Sequence, residues 1–387
     1  MKKHIQFIFV LLLSLTSNIQ AQTALNQALN NLPKYKYIID YPNKYHLQII
    51  YSEVKNGKTL NEERFNINDS NYFYCASMVK LPAAIIALEK INSLKEKGIT
   101  LTTEIKFGNT RDCSNIIKKD TSHPIGIYTI EHLIKRMLLV SDNEAFDRVI
   151  DFIGLELFNK KLQEWGMDGS FINHNFDLTC NKKCISRPIS FVNAFGNVIY
   201  SESEKVYLPL KNHNSVKIGK AYYSASEKLI LSPKEFGSYN YLKLEHVYAL
   251  LKTITLNQPD INKIALNLTK ENYNFLNECL AALPRHYNYP KYSQKEFPDN
   301  YKKYVYFGDG KSKNFNEVSS TNIVGQSYGF LSDCALLKDV KTGKEIFIAI
   351  AMYCNEDEII NDGKYDYNKI GLLFMSDLAK ELLKRVS

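Results

Sequence analysis

The sequence predicts an α/β fold of the α+β type: an antiparallel sheet flanked by helices, with a helical lobe set into it. Three observations lead there. Strand-like segments lie at both ends of the chain, Tyr45–Tyr51 near the start and Tyr328–Leu337 and Ile346–Tyr353 near the end. Helical periodicities fill the stretch between them. Asn56-Gly57 and Lys341-Thr342-Gly343-Lys344 mark tight turns, the connections that antiparallel neighbours need.

The elements follow in order. Lys2-Lys3, the apolar run Phe7–Leu15 and the small residue Ala21 read as a secretory signal over residues 1–21, too short to span a bilayer. The rest, 22–387, reads as one domain, exported to the periplasm or secreted, with no membrane segment. Tyr45–Tyr51 turns at Asn56-Gly57 into a return strand around Phe65-Asn66-Ile67. A helix starts near Ser77, carries apolar positions through Leu88 and Ile91, and breaks at Gly98. Thr129–Leu139, Glu144–Phe152 and Leu155–Trp165 have helical patterns. Residues 176–188 are irregular and polar. The stretch from about 196 to 300 reads as an insert holding helices over Leu242–Ile254 and Glu271–Ala282, followed by a Tyr/Pro/Lys-rich tract at 286–304. Ile370–Val386 closes the chain as an amphipathic helix.

Composition excludes several classes. The chain is 45% hydrophobic and 23% charged, the balance of a globular protein rather than a disordered one. The formal charge of +8 falls to +6 without Lys2 and Lys3, and the basic residues are scattered. With no basic run and no nucleic-acid motif, the charge describes a lysine-rich solvated surface, not a nucleic-acid partner. The seven cysteines are odd in number, so at least one has no partner within the chain. Cys180 and Cys184 are open to three readings: a disulfide, free thiols, or a metal site. The last would need more ligands than His174 supplies.

The chemistry centres on Cys75-Ala76-Ser77-Met78-Val79-Lys80, ahead of the apolar run Ala83–Leu88. Residues three apart on a helix share a face, so Ser77 and Lys80 point the same way. A serine with an amine one turn away can act as an activated nucleophile. The chain repeats the pattern at Ser52-Glu53-Val54-Lys55, but at a strand end, where residues three apart face opposite sides. Two further elements follow Ser77: Ser141-Asp142-Asn143 at a helix–helix junction, and Val324-Gly325-Gln326-Ser327-Tyr328-Gly329 opening a C-terminal strand.

In this order the three elements resemble those of the penicillin-recognising serine hydrolases, the class A β-lactamases and penicillin-binding proteins. Tyr304–Asp309, Gly325–Asp333 and Asn361–Tyr367 are similar to a β-lactamase-related group with a long insert, common in Bacteroidetes-type bacteria. The resemblance implies a β-lactamase/transpeptidase-like fold with the active site in a groove. It implies that Ser77 attacks an amide or lactam carbonyl, Lys80 takes its proton, and Ser141 relays a proton to the leaving nitrogen. Asn143 would hold the substrate amide, and the strand at Gly325 and Gln326 would bind the substrate. The N–H groups of Ser77 and Gln326 would form the oxyanion hole. No metal or cofactor is called for, and the partner is a small β-lactam or cell-wall peptide.

Two positions depart from the family pattern. Ile323 stands where a lysine is expected, which leaves Lys80 as the only lysine of the usual pair. Lys341-Thr342-Gly343 spells the missing motif but falls in a turn, and Ser238-Tyr239-Asn240 is a similar decoy for the second motif. The polar loop 174–188 offers no glutamate to drive deacylation; Asp177 is its nearest carboxylate. Asp333 is expected to shape its strand, Cys75 to be a small buried residue, and Tyr328 and the aromatic tract to be packing. The expected activity is opening of β-lactam or related amide bonds through acyl-Ser77. The alternatives are a penicillin-binding-type peptidase, or a slow or non-catalytic β-lactam binder or sensor.

Overall fold

The computed structural model describes residues 23–110, 119–176, 185–210, 215–256, 264–311 and 314–386. The signal region, Asp177, Cys113, Cys180 and Cys184 lie outside the described residues. A five-stranded antiparallel sheet forms the centre, built from β1 (Gln48–Lys55), β2 (Lys58–Phe65), β3 (Val318–Ser327), β4 (Phe330–Asp339) and β5 (Glu345–Tyr353). The spatial order is β3-β4-β5-β1-β2, so the two ends of the chain meet at the β5–β1 pair. The turn chemistry fits this arrangement. Asn56 and Gly57 have φ of 53° and 70° and join β1 to β2; Tyr328 and Gly329, at 53° and 85°, join β3 to β4. Two left-handed residues give the hairpin the twist its strands already have.

The alternation of the pleat sends apolar residues to two cores. Ile49, Tyr51, Ile348 and Ile350 face the helices Ala24–Asn30 and Leu372–Arg385. Ile50, Ile323, Phe347 and Ala349 face the helix Lys80–Ser93, whose residues 80–89 are all buried. A helix apolar all round has no solvent face, which is why its sequence reads as a run rather than a stripe. Within the 196–300 stretch, the helix Leu244–Leu256 belongs to this same core. Val247, Leu250 and Leu251 are buried, and Tyr248 stacks edge-on to Phe347 of β5.

The helical lobe comprises Ile130–Leu139, Asn143–Ile153 and Leu155–Glu164. Beside it, Glu104–Phe107, Ile189–Val192 and Val198–Glu202 pair as a small antiparallel sheet whose strands the sequence reading did not separate from loop. Thr129 caps the first lobe helix and Asp142 the second, each side chain accepting an orphan N–H. No helix among the described residues is long and apolar enough to cross a membrane.

Candidate active site

Ser77 lies in a 3-10 turn, Ala76–Val79, and Lys80 is the first residue of the following helix. A 3-10 turn eclipses residues three apart, bringing the two side chains closer than an α-helix would. The Lys80 Nζ is 3.1 Å from Ser77 Oγ. Ala76, just before the nucleophile, has a φ of 44°, a region an alanine enters only under constraint. The constraint is visible at β3. A Cβ on Gly325 would stand 2.4 Å from the Cys75 carbonyl oxygen, so the edge strand and the nucleophile turn are in backbone contact. Gly325 is thus needed for close approach, and it is not among the residues that line the Ser77 cavity.

The Ser141-Asp142-Asn143 corner closes over Lys80. Lys80 Nζ reaches Ser141 Oγ at 2.9 Å, the Ser141 carbonyl at 2.5 Å and Asn143 Oδ1 at 2.7 Å. Ser141 is itself left-handed, with a φ of 59°. Arg136 holds the corner from behind. Its Nε and Nη2 donate to Asp142 at 2.9 and 2.7 Å, and Nη1 donates to Asp120 at 2.9 Å. The cap of the following helix is Asp142, whose carboxylate accepts from Ala145 N at 3.0 Å. Asn143 is therefore not the cap, and its amide is left to serve Lys80.

Lys80 is wholly buried. Loss of solvent pushes its amine well below the ordinary lysine range, and the positive charge of Lys302 pushes it further; Asp142 and Asp147 act the other way. Lys302 corrects the expectation that Lys80 stands as a single lysine. Ile323 is indeed buried in the core and carries no charge. The second cation comes instead from the tract before β3, whose folding no local spacing reveals. Asn322 Nδ2 donates to the Lys302 carbonyl at 2.7 Å, beside Ile323. Asp333 accepts from Tyr304 N, Val305 N and Asn322 Nδ2 at 3.0, 2.9 and 2.9 Å, riveting the tract to the sheet. Asp333 thus shapes the strand, as expected. Burial brings Lys302 down to about 8, and among the described residues its ammonium has no hydrogen bond or ion pair. Lys303, by contrast, donates to Leu280 O, Ser320 O and Asn322 Oδ1.

Ser77 opens on a cavity of about 200 Å³, which Asn143, Gln326, Tyr328, Tyr239, His174 and Asn175 also line. Gln326 Oε1 accepts from Tyr304 OH at 2.9 Å. Tyr328 is packing and wall at once: its ring lies 5.4 Å from Tyr74 and 5.8 Å from Tyr239 while facing the cavity. Ser238-Tyr239-Asn240 is no second acyl-transfer corner, yet it builds this wall. Asn240 Oδ1 accepts from Asn173 N and His174 N, and its Nδ2 donates to His174 O. Cys75 is buried and its thiol is pushed up to about 12 by burial, which leaves it inert. Lys341-Thr342-Gly343 lies in the β4–β5 turn, and Ser52 and Lys55 sit on opposite faces of β1, Ser52 buried and Lys55 exposed.

The arrangement holds a buried amine of lowered proton affinity against a serine hydroxyl, with a second hydroxyl and an amide around it. That is the equipment for acyl transfer by a serine. Residues 25–205, which carry Ser77, Lys80, Ser141 and Asn143, match the model of the beta-lactamase enzyme family. No curated protein matches the chain. Among solved structures, a beta lactamase from Xanthomonas campestris pv. campestris is similar at 10% identity, with a TM-score of 0.51, over 94% of this chain and 98% of that one. A beta-lactamase from Sphaerobacter thermophilus is similar at 13% identity, with a TM-score of 0.50, over 93% and 95%. The stretch bearing the first two motifs is thus similar to the beta-lactamase enzyme family, and the chain has a β-lactamase-like fold.

Proposed function

We propose that this protein is an exported serine hydrolase that opens β-lactam or related cell-wall amide bonds through an acyl-Ser77 intermediate. The observation that carries the reading is the Lys80 amine, buried, depressed in pKa, and 3.1 Å from Ser77 Oγ. A neutral amine there takes the hydroxyl proton as Oγ attacks the carbonyl. The Ser77 and Gln326 N–H groups stabilise the oxyanion; a single such donor is worth about 3–4 kcal/mol. Ser141 hands a proton to the leaving nitrogen as the amide bond breaks, drawing on Lys80, 2.9 Å away. Asn143 orients Lys80 and the substrate amide. Export rests on Lys2-Lys3 and the apolar run that follows.

One observation favours a second reading, a penicillin-binding-type peptidase or slow-deacylating binder. No carboxylate is among the described residues that line the Ser77 cavity, where the usual base for the second half-reaction would be expected. A chromogenic cephalosporin tests turnover and a fluorescent penicillin tests acylation. Turnover lost in Ser77→Ala supports the hydrolase. A lasting adduct on Ser77 without turnover supports the peptidase or binder. Wild-type protein that neither turns over the cephalosporin nor forms an adduct with either compound refutes both.

A further inference from the structure

Lys80 has no exposed surface, although Ser77 and Asn143, which its amine touches, both line the cavity. Some group must therefore close the cavity off from Nζ. Ser77, Ser141 and Asn143 supply the hydrogen-bond partners of the amine. Beside them stand two aromatic rings. The Phe176 ring centroid lies 5.4 Å from Nζ and that of Phe146 lies 6.0 Å away. Phe146 is wholly buried on the helix Asn143–Ile153. Phe176 is half-buried and lines the cavity, so it is in contact with the substrate's side and with the amine at once.

The Phe176 ring is held through its backbone and through its face. Phe176 N donates to Asp147 Oδ1 at 2.7 Å, and Asp147 is buried on the same helix as Phe146. The two phenylalanine rings pack at 4.8 Å, tilted by 35°. Two residues earlier, Asn240 accepts from His174 N at 3.1 Å and donates to the His174 carbonyl at 2.9 Å. Phe176 is therefore a fixed part of the wall and not a loop-tip side chain.

We infer that Phe176 is a positioning residue whose ring keeps water off Lys80, so that the amine meets the Ser77 hydroxyl as a base. This rests on the acyl-Ser77 reading and names what makes Lys80 fit for it. Two effects of the ring compete. Its face attracts an ammonium. Water solvates an ammonium far better, however, and excluding water favours the neutral amine. The cover therefore outweighs the attraction. The charges that face Lys80 come from three places. Lys302, on the tract before β3, opposes its proton; Asp142 of the corner and Asp147 of the second lobe helix favour it. The Asp147 bond is to the Phe176 backbone, so a change of side chain at 176 leaves all three charges in place.

The test is the pH profile of acylation for wild type, Phe176→Ala and Phe176→Leu. Acylation is read as adduct formation with a fluorescent penicillin or, where the adduct clears, as kcat/KM for a chromogenic cephalosporin. Phe176→Ala lets water reach Nζ. Its acid limb moves upward by about one pH unit or more, against roughly 3–5 for complete burial, and below the limb the rate falls about tenfold for each unit moved. Phe176→Leu keeps an apolar cover without the ring face, so its limb stays at the wild-type position or below it. Packing without cover would scale the rate at every pH and leave the limb where it was. Circular dichroism and melting verify the fold; where the alanine variant does not fold, Phe176→Val opens a smaller gap and is read in the same way. An alanine limb at the wild-type position overturns the inference, as does a leucine limb raised as far as the alanine one. Both leave the acyl-Ser77 reading standing. Wild-type protein that shows neither adduct nor turnover overturns that reading, and the inference with it.

Discussion

The contact between Gly325 and the nucleophile turn makes Gly325→Ala a sharp probe of the site. The added Cβ would sit 2.7 Å from Ser332 Oγ and 2.4 Å from the Cys75 carbonyl oxygen. The serine side chain can rotate; the carbonyl is backbone and cannot. Restoring ordinary contact needs a shift of about 1 Å, between β3 and the turn that carries Ser77. The stability cost is that of modest overpacking, about 1–3 kcal/mol, or roughly 2–4 °C in melting temperature per kcal/mol. The catalytic cost is larger, because a misplacement of about 1 Å is worth about 10²-fold in rate. The shift opens the gap between the Ser77 and Gln326 N–H groups, where the oxyanion would form. Adduct formation with a fluorescent penicillin, timed in quenched flow beside a urea titration, measures both terms. A folded Gly325→Ala protein that acylates within about threefold of wild type would refute the oxyanion geometry, since that geometry cannot survive a shift of about 1 Å.

Three other perturbations follow from the buried amines. Lys80→Met leaves Ser77 without a base and lowers acylation by about 10²–10⁴-fold, read as adduct formation at fixed pH. Lys302→Met removes the charge that helps hold Lys80 down, so Lys80 keeps its proton to higher pH and the acid limb of the acylation profile moves upward; an unmoved limb argues against the coupling. The stability sign matches: an amine held at about 8, against an ordinary value near 10.4, weakens the native state as pH falls from about 10 to 8, and wild type minus Lys302→Met isolates that slope in urea titrations. Lys303→Met strands the Leu280 and Ser320 carbonyls and the Asn322 amide oxygen, lowering stability by about 2–4 kcal/mol in chemical denaturation.

Much of this was legible in the sequence, for identifiable reasons. Asn56-Gly57 is local turn chemistry, and so the first hairpin could be read directly, although β1 starts at Gln48 rather than Tyr45. The lobe helices are legible to within a residue or two because their apolar periodicity is local; that Thr129 and Asp142 cap the first two shows only in the structure. Ser77, Lys80, Ser141 and Asn143 are brought together as the spacing suggests, because each sits at the start of a helix or at a corner. Lys302, His174 and Asn175 gave no such signal. Lys302 comes within range for its charge to act on Lys80 because Asp333 and Asn322 pin its tract to the sheet. His174 and Asn175 lie in irregular chain, where no periodicity tells which side chains face inward. The Leu244–Leu256 helix read as part of an insert for a related reason: its burial against β5 depends on contacts with the two chain ends.

The charges of the site also explain how position 323 can be apolar. Ile323 is 4% exposed and packs in the core that buries the nucleophile helix. A lysine there would need solvent or a counter-charge, and an unpaired charge inside an apolar core is costly. Here the cation is delivered by the chain before the strand, so β3 stays apolar where it meets the helix. The anchoring of that tract is itself polar and buried. Asp333, pushed up to about 7 by burial, and Lys303, brought down to about 7 by the same cause, share Asn322, which bonds both. Lys302, next to Lys303, is thereby held on the side of β3 where its charge acts on Lys80. Tyr292, from the same tract, is close enough to Asp142 and Arg136 for their charges to act on its hydroxyl. One segment therefore joins the Ser141 corner to the edge strand, and moving it changes the proton affinity of the base and the wall of the cavity together.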